Sequence, residues 1–173
     1  MRRSSSALGA LALGFVCLGL AASEFSPLAT VAKSTWADKH HVGVICDAAS
    51  DKKEILALSE AMGTGTTITV VDTRDVAEVS EAVATLRAKH VDYVVLMPAD
   101  PVFHDGGFGS TFLIRDLSGL GIPSVGTTAR AVRQGAAFAI GEATGGQLLV
   151  SDKLIGHISV LLPDRGTYLG GSK

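Results

Sequence analysis

Apolar and polar positions follow two rhythms along the chain, and each change of rhythm marks a new element. Val42 to Cys46, Thr66 to Asp72 (with Ile68, Val70 and Val71) and Val91 to Met97 are short apolar runs rich in β-branched residues. Runs of this kind read as strands covered on both faces of a parallel sheet. Between them the apolar residues recur three and four positions apart: Ile55, Leu58 and Met62, ended by Gly63 and Gly65, and then Val76, Val79, Val83 and Leu86. That spacing puts one apolar stripe on each of two helices. Asp51 with Glu54, and Asp75 with Glu78, have the spacing of helix N-terminal caps. A third helix carries Leu113, Ile114, Leu117 and Leu120 inward and stops at Gly121, and Ile122–Gly126 and Ala136–Gly141 read as strands four and five.

This alternation predicts an α/β fold: a three-layer, open parallel sheet of about five strands with right-handed crossovers, flavodoxin-like in order. Leu154 to Leu162 sets Ile158, Val160 and Leu162 opposite His157 and Ser159, the pattern of an extra C-terminal edge strand. The lobe therefore spans residues 41–162. Residues 24–40 show no clear period and read as a linker, and residues 163–173 as a tail.

The first 23 residues have a different character. Arg2 and Arg3 precede an apolar run from Ala7 to Ala22, followed by the small residues Ala21-Ala22-Ser23. This is the layout of a cleaved signal peptide, and the run falls short of the roughly 20 residues of a membrane span. An exported, periplasmic chain is the expectation. Cleavage would remove two positive charges and take the formal charge from −2 to −4. No basic excess remains to hold nucleic acid. Of the two cysteines only Cys46 would persist, at the end of an apolar run, where a buried structural thiol is expected rather than a disulfide.

Enzymatic signatures are missing. The sequence has no phosphate-binding glycine loop, no Gly-x-Ser-x-Gly elbow and no metal-ligand spacing, so no cofactor, metal or catalytic residue is expected. His104 and Asp105 sit without spaced partners in the Gly-rich loop Pro101–Gly109, which reads as solvated and flexible. What remains is a ring of polar residues just past the strand ends: Asp47 and Ser50, Asp72 and Thr73, Asp100, Thr127 and Thr128, and Glu142. In open α/β sheets ligands gather there, and hydroxyls and carboxylates suit a small polar solute. Helix capping alone explains several of them, Ser50 and Thr73 in particular.

The motifs at two of these ends carry a family resemblance. Ile122-Pro123-Ser124-Val125 followed by Val132-Arg133-Gln134-Gly135-Ala136 resembles a signature of ABC-type solute-binding proteins, the type I periplasmic binding proteins. Pro98-Ala99-Asp100 is similar to the Pro-Thr-Asp after their middle strand. Asp47 to Ser50 falls where they carry an Asn- and Ser-containing turn. The resemblance covers roughly His41 to Glu142 and matches one of the family's two flavodoxin-like lobes, with Pro101 standing where the family usually has Asn. It implies a non-enzymatic protein that binds a small polar solute, such as an amino acid or a similar small molecule. A lone lobe also implies a homodimer or a partner protein covering the strand-end face. The alternative is an accessory subunit of a cell-envelope complex that has lost the solute site.

Overall fold

The computed structural model describes residues 24–152 and 167–169. Among the described residues seven strands form one sheet in the order β2-β1-β3-β4-β5-β6-β7. They are β1 (His41–Cys46), β2 (Thr67–Asp72), β3 (Tyr93–Val95), β4 (Ser124–Gly126), β5 (Phe138–Ala139), β6 (Leu149–Ser151) and β7 (Thr167–Leu169). The first five are mutually parallel in the flavodoxin order, β6 runs antiparallel to β5, and β7 is parallel to β6.

The strands show why a buried parallel sheet was legible. Successive side chains of a strand point to opposite faces. Val42, Val44 and Cys46 therefore join Tyr93, Val95 and Met97 in one core layer, while Ile45, Val94 and Leu96 join the other. Val94 and Val95 are both buried, as expected of an interior strand. Helix α2 (Lys52–Met62) covers the first layer through Leu58 and Met62. Helices α3 (Val79–Ala88) and α4 (Phe108–Gly119) cover the second through Val79, Val83, Leu86, Leu113, Ile114 and Leu117. Gly43 lets Leu86 close on the sheet, since a Cβ there would lie 3.0 Å from Leu86 Cδ1. Leu120, expected inward, is 39% exposed because the helix has already ended at Gly119.

Residues 24–40 are not a linker. They contain helix α1 (Ser26–Thr35), with Phe25, Leu28, Ala29, Ala32 and Trp36 buried in the first core layer. Their spacing is helical, but the alanines weaken the apolar signal. Helix α5 (Ala129–Gln134) also escaped the pattern, being only six residues long and capped by the Thr128 side chain. The expected tail contains β7. The expected leader and the proposed edge strand at 154–162 lie outside the described residues. Among the described residues no helix is long and apolar enough to cross a membrane.

Candidate functional site

The polar ring lies at the carboxyl ends of β1 to β5, and two buried carboxylates organise it. Asp100 follows β3 and is 1% exposed, so it does not face an open crevice as its sequence position suggested. Its Oδ2 accepts the Asp47 N–H at 2.8 Å, and its Oδ1 accepts the N–H groups of Val102 (2.8 Å) and Phe103. One side chain thus ties the loop after β1 to the loop after β3.

Asp105 is the second. The loop expected to be solvated is folded inward, with Phe103, Asp105, Gly106 and Gly107 buried. Asp105 accepts from both threonines that follow β4. Its partners are the Thr127 N–H and Oγ1 (2.9 Å) and the Thr128 N–H (3.0 Å) and Oγ1 (2.9 Å). Burial pushes its carboxyl up, and these donors pull it back toward the ionised form. Gly126 belongs to the same device, because a Cβ there would sit 2.6 Å from Asp105 Oδ2. Gln134 adds a further tie, donating to the Gly107 carbonyl at 2.8 Å and to Thr111 Oγ1 at 2.7 Å.

Thr127 and Thr128 therefore spend their hydroxyls on the scaffold, and Thr73 is buried with its N–H on the Cys46 carbonyl at 3.0 Å. The ring members facing outward are Asp47, Ser50, Asp72 and Glu142. Asp47 accepts from the Ala49 and Ser50 N–H groups and from Ser50 Oγ. These bonds, led by the Ser50 N–H, hold its carboxyl below its ordinary range, with the Arg74 guanidinium adding to them at 3.3 Å. Arg74 also reaches Asp72 at 3.7 Å, and Asp72 accepts the Ala48 N–H at 3.0 Å. Glu142 is exposed on the short turn after β5. A cavity of about 240 Å³ at the β2–α3 edge meets the ring at Asp72 and Thr73 and is otherwise lined by Glu78, Glu81 and Thr85, among others.

The spacing of Asp51 and Glu54 suits a helix cap, but Asp51 plays another part. It makes no capping bond, is 4% exposed, and its Oδ2 has no hydrogen-bond partner in the protein. Burial first, then the adjacent Asp100 and the Glu54 charge, push its carboxyl up to about 7. Cys46 is buried beside them, its thiol pushed well above the ordinary range by burial and then by the Asp51 and Asp100 charges. Among the described residues no three His, Cys, Asp or Glu side chains are placed to hold a metal ion.

No protein-family model matches the sequence. No curated protein matches it either. Solved structures do match the fold. One is the ABC domain of Streptococcus pneumoniae in complex with L-Trp, at 10% identity and a TM-score of 0.67, covering 83% of this chain and 59% of that one. A conserved domain protein of Vibrio cholerae matches at 16% identity and a TM-score of 0.65, over 84% and 60% of the two chains. The ligand-free, open structure of a substrate binding protein with adhesive properties from Clostridium difficile matches at 15% and 0.65, over 83% and 58%. The chain thus has the fold found in substrate-binding proteins, and it spans about three fifths of the length of these structures.

Proposed function

We propose that this chain is an exported, periplasmic solute-binding protein, related to the substrate-binding components of ABC transporters and reduced to one lobe. It catalyses no reaction. The observation that carries this reading is the fold shared with a structure bound to L-Trp and with a substrate-binding protein, over more than four fifths of the chain. The outward groups Asp47, Ser50, Asp72 and Glu142 at the strand ends suit a small zwitterionic solute such as an amino acid. A lone lobe supplies only half of a closing cleft. Association costs roughly 4 kcal/mol or more in lost ligand freedom, while a Kd of 1 µM needs about −8 kcal/mol. The expected outcome of calorimetry on the monomer with a panel of amino acids is a Kd no tighter than about 100 µM, weakened further in Asp72→Ala and Glu142→Ala. Sub-micromolar binding by the monomer would overturn the half-cleft account.

A second reading, as an accessory subunit whose strand-end face docks a partner or a second copy, is favoured by one feature. Phe108, at the start of α4 beside the strand-end loops, is 72% exposed and rests edge-on against Phe112 at 5.0 Å. Exposed aromatics of this kind are enriched at interfaces. Dimerisation seen by sedimentation and abolished in Phe108→Ser would favour it over solute binding.

A further inference from the structure

The opposite end of the sheet holds a second site. Where β1, β2 and β3 begin, the last turns of α1 and α2 flank a cavity of about 470 Å³. Trp36, Met62 and Tyr93 line it and are 3%, 1% and 2% exposed. Its rim is Lys33 from α1, Lys39 and His40 from the α1–β1 connection, and Thr64 to Thr66 from the α2–β2 connection. The Trp36 and Tyr93 rings lie 4.8 Å apart at 42°.

Donors outnumber acceptors among these side chains. The Trp36 Nε1–H is buried and has no acceptor in the protein. The Tyr93 hydroxyl has Met62 Sδ at 3.7 Å, and a thioether is a weak acceptor. Lys33 donates to the Ala61 carbonyl at 3.1 Å, a neutral group that leaves two of its three donors and its charge uncommitted. Lys39 stands 3.9 Å from one oxygen of Asp92, whose other oxygen already accepts the His40 and His41 N–H groups at 2.9 Å each. A ligand complementary to this lining brings a flat apolar body for the aromatic wall and a strong acceptor for the surplus donors. We infer that the cavity at the amino ends of β1 and β3 binds a small aromatic carboxylate, its ring against Trp36 and Tyr93 and its carboxylate toward Lys33. This site is separate from the strand-end ring and stands whether or not the ring binds a solute.

Trp36 is the only tryptophan of the chain, so its fluorescence and its single indole N–H resonance report on this cavity. The full chain is titrated with benzoate, and in parallel with benzamide (the ring without the charge) and acetate (the charge without the ring). The expected result is a saturable change in both Trp36 signals with benzoate, at concentrations about tenfold lower than with either control. Lys33→Met should weaken benzoate by a similar factor, because one charge-assisted hydrogen bond is lost. Lys33 is exposed, so the fold survives the change, and an unaltered melting temperature verifies that. Asp72→Ala, at the other end of the sheet, should leave benzoate binding unchanged. Signals that change linearly without saturating, benzamide matching benzoate, or undiminished binding in Lys33→Met would each overturn the assignment.

Discussion

The two ends of this sheet solve opposite problems with polar side chains. At the carboxyl ends, two buried carboxylates collect seven donors: Asp100 takes three backbone N–H groups, and Asp105 takes two backbone N–H groups and two hydroxyls. These seven donors all find an acceptor within the protein, and their effect is to fix the loops. What stays unpartnered there is carboxylate oxygen, on Asp51 and Glu54. At the amino ends, an indole N–H and lysine donors surround a cavity without enough acceptors to match them. Residue types alone point to the first end as the place for ligands. Accounting for each group shows the second as the place where a buried donor, the Trp36 N–H, lacks an acceptor.

The largest test of this contrast is Asp105→Ala. Removing the carboxylate leaves the N–H and hydroxyl of buried Thr127, and those of half-buried Thr128, without their acceptor. A loss of about 3–5 kcal/mol is expected, which is a large share of the roughly 5–15 kcal/mol that holds a domain together. Urea unfolding measures it, and a loss under about 1 kcal/mol would mean the loop is not held by this carboxylate. Thr127→Ala removes one of the four donors together with a small packing contact, and should cost about 1–2 kcal/mol. Trp36→Phe, at the other end, deletes an N–H that bonds nothing. Its cost should be confined to lost packing, about 1 kcal/mol. A Trp36→Phe variant as damaged as Asp105→Ala would erase the contrast between the ends.

Sequence pattern was informative where structure is local. The strand at 42–46 and the stripes at Ile55/Leu58/Met62 and Val79/Val83/Leu86 depend on spacing within one element, and the structure places them as expected. The run at 91–97 is buried apart from half-buried Asp92, but its strand is confined to Tyr93–Val95. Helix α1 was missed because Ala29 and Ala32 are core residues only when packed against the sheet. The roles of Asp105 and Asp100 could not be read locally. Asp105 meets Thr127 and Thr128 from 22 and 23 residues away, and Asp100 meets Asp47 from 53. Asp51 is illegible for the same reason: its position suits a cap, and its neighbour Asp100 becomes visible only in three dimensions.

The raised Asp51 carboxyl gives the carboxyl end a pH signature of its own. The Asp51 carboxyl, pushed up to about 7, keeps its proton in the folded protein at pH values where the unfolded chain has released it. Between about pH 4 and 7 the native state therefore binds the extra proton, and stability falls as pH rises through that window, then levels off above it. The groups facing Asp51 are Cys46 on β1, Glu54 on α2 and Asp100 after β3, and the Glu54 carboxyl, also pushed up by burial, adds to the same slope. Asp51→Asn should flatten that part of the profile in chemical denaturation at several pH values. An unchanged slope would place the titrating group elsewhere.

The smallest effect distinguishes fixed from loose within the carboxyl end itself. Arg74 is 61% exposed by side chain, and its two ion pairs, at 3.3 Å to Asp47 and 3.7 Å to Asp72, lie in water where such pairs contribute little. Arg74→Ala should leave the denaturation midpoint within experimental error. Its informative readout is the Asp47 carboxyl titration followed by NMR. The chief cause of the lowered Asp47 pKa is the Ser50 N–H, with the Ser50 hydroxyl and the Ala49 N–H next among the bonds that favour the charge, and Arg74 after them. In Arg74→Ala the Asp47 pKa should stay below its ordinary range. Ser50→Ala keeps the backbone donor and loses the hydroxyl, so it should raise the value further than Arg74→Ala does, yet not restore it fully. If Arg74→Ala alone returned Asp47 to the ordinary range, the turn after β1 would be held by a screened surface charge rather than by its own backbone.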